Sequence, residues 1–236
     1  MEVRLISHSD LGPLVCGYAA KVCTSAEMPE CPDELAVTMR KGEELPFKKA
    51  LDHALASGHD SVLEHWSATF AIEEVSRVLE IQLVRHRLAS YSIQSGRYCA
   101  RDPTNYVVPF EPDDAVERAM RNFDVALMHV DDVMKAHGVK EEDRRYLYPQ
   151  GLKTNIVVTM NARELRHFLG LRLCVRAQKE IRELAERMLE LLKDECPELF
   201  RDIGPQCEQR GFCPEGKKGC GRRPTYDELL DREAGR

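Results

Sequence analysis

The sequence predicts an α+β fold: a mixed or antiparallel sheet with long helices in a single catalytic domain. Three observations carry this. Trp66, Ala68, Phe70 and Ile72 alternate with polar residues at the period of a strand. Val116, Ala119, Met120, Phe123, Leu127 and Val130 instead recur at the spacing of a long amphipathic helix. The strand-like and helix-like segments do not alternate regularly, which argues against a βαβ architecture.

In chain order, residues 1–38 read as largely irregular, with VRLISH (3–8) a short strand and LVCGYAAKVC (14–23) a helix. Prolines and acids make 25–34 a loop. Pro46 opens a helix running to about Ser57, with Gly58 past its end. GHDSVLEHW (58–66) is a turn and WSATFAIEEVS (66–76) a strand. From Ser76 the period becomes helical, and Arg85-His86-Arg87 is expected to form the last turn, where cations are favoured. Residues 90–96 read as a loop or broken helix, and TNYVVPF (104–110) as a strand. Pro112 opens a helix to about His137, closed by Gly138. A helical turn over 141–151 and a β-branched strand over 153–161 follow. Asn161 with Glu164 three residues on resembles a capping box. The long helix it starts is expected to break at Gly170, and Ile181, Leu184, Ala185, Met188 and Leu192 form a core stripe. The domain is expected to occupy residues 1–200, followed by a Gly/Pro/Cys-rich tail over 201–236.

Composition excludes several functions. The chain has 34 basic and 40 acidic residues, a net charge of −6, which disfavours a general nucleic-acid binder. No apolar run approaches the ~20 residues that span a bilayer. Residues 1–10 lack the apolar region of a signal peptide. Nine cysteines, an odd number scattered over helices and loops, suit free thiols in a reducing cytoplasm. Familiar nucleotide and hydrolase motifs (GxGxxG after a strand, GxxxxGK[ST], HExxH, GxSxG) are missing.

Against this acidic background, residues 76–101 carry Arg77, Arg85, Arg87, Arg97 and Arg101 against one acid, Glu80. That local excess reads as an anion site. On a helix Arg85, His86 and Arg87 would point about 100° apart, so they suit two ligands, or a ligand and a neighbouring subunit, better than one small molecule. Gln82 shares a helix face with Arg85. Ser95-Gly96-Arg97 offers a hydroxyl, an unobstructed backbone amide and a forked cation, a set that suits a phosphate. The bland alternative is a solvated basic turn.

The run RHRLASYSIQSGR, an RHR followed after seven residues by S-x-R, resembles the signature of the flavin-dependent thymidylate synthases. GHDSVLEH (58–65), RRYLYP (144–149), NARELRHFLGLR (161–172) and ECPELF (195–200) resemble further blocks of that family, in the same order. The resemblance implies a homotetramer with active sites shared between subunits. It implies bound FAD, dUMP as substrate, methylenetetrahydrofolate as carbon donor and NADPH as reductant. No nucleic acid or membrane partner is expected. By the same resemblance Ser61, Glu64, Arg85, His86, Arg87, Ile93, Asn161, Arg163, His167 and Leu171 would contact FAD, and His59 would lie near the folate. Gln82, Arg85, Ser95, Gly96, Arg97 and Arg145 would hold dUMP, with Arg97 and Arg145 on its phosphate. Arg172 would face the uracil and favour ionisation at its N3, the catalytic role. A flavin mechanism needs no protein nucleophile, so the protein supplies positioning and charge.

The chain departs from the family pattern at Ile93, where many members carry Glu or Gln, at Cys23, often Ser, and at His167, often Asn. Backbone contacts from Ile93 can survive the change. Cys196, Cys207, Cys213 and Cys220 would together close a tetrahedral zinc site, although none of their spacings is CxxC, and free thiols are the plainer reading. The acids at 141–143 read as solvated. Two rival functions remain open at this level: a flavin- and nucleotide-binding relative without methyl transfer, and a non-enzymatic nucleotide- or RNA-binding protein.

Overall fold

A computed structural model describes residues 1–31 and 45–233 of the chain. Part of the loop expected over 25–34, and the last three residues of the tail, fall outside the described residues. The fold is α+β. Strands β1 (Glu2–His8), β2 (Ser67–Ser76), β3 (Ala89–Ile93) and β4 (Lys153–Asn161) form one sheet in the order β1-β2-β4-β3. Along β4 every second residue, Thr154, Ile156, Val158 and Met160, is buried, as period-2 patterning demands. Contacts group the chain into two compact units, the first made of Met1–Val3, Ala71–Arg87 and Tyr91–Val158, the second of Arg4–Phe70, Leu88–Ser90 and Thr159–Arg236.

In the first unit, helix α3 (Arg77–Leu83) starts where the Ser76 hydroxyl accepts the Leu79 N–H at 3.0 Å. It ends two residues short of the Arg-His-Arg triplet, which is therefore a turn and not the last turn of a helix. The Tyr91 hydroxyl lies 2.8 Å from the carbonyls of both Leu83 and His86 and holds that turn closed. Of residues 90–96, expected as a loop or broken helix, 90–93 belong to strand β3. The strand expected over 104–110 reduces to one bridge, Tyr106 to Leu152, because Pro109 has no N–H to extend a ladder. Helix α4 (Asp114–Ala136) is capped by Asp113, whose carboxylate accepts the Ala115 and Val116 N–H groups at 3.0 and 2.9 Å. The short helix α5 (Glu141–Arg144) runs into a 3-10 turn, Arg145–Leu147.

In the second unit, α1 (Gly12–Val22) packs against α2 (Lys48–Ala56), and Gly58 closes α2 with φ +70°. A 3-10 helix, Asp60–His65, leads to Trp66, which is buried against Phe200 with ring centroids 5.5 Å apart. Helix α6 (Ala162–Arg172) continues through Gly170, which is buried, and the break comes after Arg172 rather than at the glycine. Helix α7 (Lys179–Glu195) buries the whole stripe Ile181, Leu184, Ala185, Met188 and Leu192, each at most 1% exposed. The four larger side chains contribute roughly 1.5–3 kcal/mol each relative to exposure. Short helices α8 (Pro197–Phe200), α9 (Gln206–Arg210) and α10 (Tyr226–Glu233) complete the chain. Among the described residues no helix is long and apolar enough to cross a membrane.

Candidate active site

The residues expected at a nucleotide phosphate collect in the first unit. Ser95, Gly96 and Arg97 follow β3, and the Ser95 hydroxyl accepts the Arg97 N–H at 3.2 Å, which fixes the turn. Gly96 and Arg145 line one cleft of about 380 Å³. A Cβ on residue 96 would sit 3.4 Å from Cδ and Nη1 of Arg145, so glycine lets the arginine stem lie against the loop backbone. Arg145 donates through Nε to the Glu142 carbonyl at 3.1 Å. The Glu142 carboxylate in turn receives Arg97 Nε at 2.9 Å and Nη2 at 2.8 Å. Glu142 thus links the two arginines assigned to the phosphate. The expectation of solvated acids fails at two of the three positions, because Glu141 is likewise paired, with Arg144.

Among the cleft-lining residues that escaped the residue-by-residue reading are Arg77, Arg101 and Tyr148. The two arginines were visible only as part of the local basic excess. Arg77 donates Nη1 to both oxygens of Glu80, at 2.7 and 2.5 Å. Burial raises the Glu80 pKa, against the pull of Arg77 and Arg101. Burial also lowers the Arg101 pKa, though a guanidinium remains a cation near neutrality. Tyr148 is anchored by donating to Asp131 at 2.8 Å, and burial foremost pushes its phenol up to about 12. Of the triplet, His86 is buried while Arg85 and Arg87 are exposed. Ile93 lines a different groove in this unit, with Ile72, Ser92 and Asn155, and not the arginine cleft.

A second group of expected residues lies in the other unit, on α6 and the 3-10 helix. Asn161 caps α6, its Oδ1 accepting the Glu164 N–H at 2.8 Å, as the capping-box spacing requires. Arg163, His167 and Leu171 lie four residues apart on one helical face, and all three are exposed, while Leu165, Phe168 and Leu169 are buried on the other. Arg163 pairs with Glu64 at 2.5 Å, and that hydrogen bond raises its pKa further. Ser61 is exposed on the same 3-10 helix, and His59, just before it, is exposed too. Arg172 is half-buried at the end of α6, and desolvation lowers its pKa. The donor set on α6 and the 3-10 helix, a cation, an imidazole, a hydroxyl and an apolar side chain, is chemically suited to a dinucleotide with an aromatic ring system.

The zinc set does not assemble. Cys196 lies in the core beside Gly12, its Sγ 3.7 Å from where a Cβ there would be, and burial pushes its thiol up to about 12. Cys207, Cys213 and Cys220 instead line a small cavity of about 40 Å³ with Cys174. Among the described residues no group of three or more His, Cys, Asp or Glu is placed to hold a metal ion. All nine cysteines are free.

A family model described as "Thymidylate synthase complementing protein" matches residues 4–198. The chain belongs to that family. Among its relatives, a flavin-dependent thymidylate synthase of Geobacter sulfurreducens is 43% identical over 235 residues, 98% of each chain. One from Clostridium tetani is 38% identical over 247 residues, covering 97% of this chain and 96% of its own. A solved thymidylate synthase of this flavin-dependent family, from Helicobacter pylori, complexed with FAD and dUMP, superposes with a TM-score of 0.65 at 25% identity. It is matched over 86% of this chain and 100% of its own. The solved UMP/dUMP methylase PolB of Streptomyces cacaoi, at 23% identity and TM-score 0.65, shares the fold. The family-model match ends before the cysteine-bearing tail.

Proposed function

We propose that the chain is an FAD-dependent thymidylate synthase that methylates dUMP to dTMP, with methylenetetrahydrofolate as carbon donor and NADPH as reductant. The observation that carries this reading is the arginine cleft beside Ser95-Gly96-Arg97, in a chain of this family. A methylene carbon lies two electrons above a methyl group, so the transfer needs a hydride equivalent, which FAD reduced by NADPH would supply. Ser61, Glu64, Arg85, His86, Arg87, Asn161, Arg163, His167, Leu171 and the backbone at Ile93 would hold the FAD, and His59 would lie near the folate.

The chain's own residues bind, orient and stabilise charge. Arg97, Arg145 and the Ser95-Gly96 backbone take the nucleotide phosphate, with Arg77 and Arg101 adding positive potential to the same cleft. Gln82 and Arg85 take the remaining polar groups of the nucleotide. Arg172 sits against the uracil and stabilises negative charge at N3, which raises electron density at the carbon that receives the methyl. Partial burial strengthens that stabilisation, since a half-desolvated cation is less screened by water. No cysteine is required: Cys16 and Cys196 are core thiols with pKa near 12, far from the reactive range.

A homotetramer with shared sites fits the exposed apolar face of α4, where Val116, Phe123 and Val130 are 38%, 47% and 40% exposed. The catalytic domain would span residues 1–200, with 201–236 an appended tail, and the free thiols suit a cytoplasmic location. The test is an assay on purified protein. Oxidised-flavin absorbance and NADPH-dependent conversion of dUMP to dTMP with methylenetetrahydrofolate are expected. Bound flavin and dUMP without dTMP would make the chain a non-transferring relative. Salt-sensitive polyanion binding with no flavin and no NADPH oxidation would favour a nucleotide- or RNA-binding protein.

A further inference from the structure

We infer that Arg101, outside the expected site residues, is a positioning residue that pre-sets the loop 94–97 for the nucleotide phosphate; this rests on the function proposed above. Its guanidinium spans two chain segments. Nη2 donates to the Gln94 carbonyl at 2.6 Å and to Thr154 Oγ1 at 3.4 Å, and Nη1 donates to the Lys153 carbonyl at 3.2 Å. Gln94 immediately precedes the Ser-Gly-Arg turn, and its own N–H bonds to the Asn155 carbonyl at 2.9 Å. Both backbone polar groups of Gln94 are therefore tied to the start of β4. On the far side, the Cys99 N–H bonds to the Ser95 carbonyl at 3.1 Å, and the Arg97 N–H to the Ser95 hydroxyl. The phosphate-facing backbone is tied down before any ligand arrives.

The arrangement carries a penalty that points to a purpose. Arg101 Nε is shielded from solvent and has no hydrogen-bond partner. A buried unpaired donor is a net destabilisation, tolerated where the remaining geometry is needed. Only a planar fork reaches carbonyls on two segments at once; a lysine ammonium offers the charge without that fixed spacing. Arg101 also lines the cleft shared by Gly96 and Arg145, so a shift of its fork moves the wall on which the phosphate rests.

The test compares wild-type holoenzyme with Arg101→Lys and Arg101→Ala, reading kcat, KM for dUMP, flavin content and thermal midpoint. Misplacement by about 1 Å is worth up to ~100-fold, so KM for dUMP is expected to rise ~10- to 100-fold in both variants, with kcat and flavin content little changed. Methylguanidinium added to Arg101→Ala should recover part of the KM. A wild-type KM in Arg101→Lys would overturn the inference, because charge alone would then suffice. Loss of flavin and thermal stability in both variants, with no selective rise in KM, would also overturn it by making Arg101 merely structural. Wild-type enzyme that fails to convert dUMP sinks the functional reading itself, a separate outcome.

Discussion

Arg172 shows what one residue contributes when its surroundings do half the work. It ends α6, one residue after the exposed face of Arg163, His167 and Leu171, and burial lowers its pKa without neutralising it. If its partner is the uracil, Arg172→Ala should retain FAD and lose dTMP formation ~100-fold or more, the scale of removing one preorganised charge stabiliser. Flavin absorbance and turnover on the same sample check this, and simultaneous loss of flavin would assign Arg172 to the cofactor instead. Arg163, His167 and Leu171 were named through the family resemblance, and the helix sets them on one face. The pairing of Glu64 with Arg163 was not legible, because 99 residues separate them. Arg101 was equally hidden: its carbonyl acceptor on Lys153 lies 52 residues away, and no local pattern encodes that distance.

At the scale of elements, the link between α4 and the Arg145 segment matters most. Asp131 on α4 is 3% exposed and accepts from Arg144 Nε at 2.8 Å, Tyr148 Oη at 2.8 Å and Lys135 Nζ at 2.6 Å. Arg144 and Tyr148 bracket Arg145, so the network fixes where that arginine starts. Burial raises the Asp131 pKa, but the hydrogen bonds from Lys135, Tyr148 and Arg144 outweigh it and the net shift is downward. A carboxylate with a depressed folded-state pKa contributes stability above its unfolded value of ~3.9, and loses it as pH falls through the folded value. Asp131→Asn should therefore cost about 3 kcal/mol near neutrality, as breaking a buried pair does. It should also flatten the acid limb of stability below about pH 4–5. Urea midpoints of both proteins from pH 7 to pH 3 measure it; an unchanged acid limb would remove Asp131 from this role. Strand β2 was legible from alternation and β4 from its β-branched residues, and each buries one face. The Arg-His-Arg turn was not, because a tyrosine hydroxyl from the next strand ends the helix early.

At the scale of the molecule, the acidic composition disfavoured a broad polyanion-binding surface, and three arginines, Arg77, Arg101 and Arg145, line one local cleft. The amphipathic pattern of α4 was correctly read as a helix with one apolar side. Within the chain, only Leu127 of that stripe is buried. Its remaining apolar side chains form the surface that the proposed homotetramer would cover, which a single chain's sequence cannot display. Val130→Glu would place a charge on that face, and light scattering should then report a smaller assembly than wild type. An unchanged mass would place the subunit contacts elsewhere.

The ion pair between Arg97 and Glu142 has a consequence for how the cleft exchanges ligands. The carboxylate is a competitor attached to the same chain, so washing or dilution cannot remove it, and under the proposed function an incoming phosphate would displace it from Arg97 each time. A half-exposed pair of this kind is worth roughly 0.2–1 kcal/mol, which gives easy release and rapid refilling rather than a locked gate. Glu142→Gln should accordingly tighten dUMP by about 1.5- to 5-fold in an equilibrium titration. It should also slow departure of the product, so that an acid paired with the phosphate-binding arginines proposed above helps to empty the site.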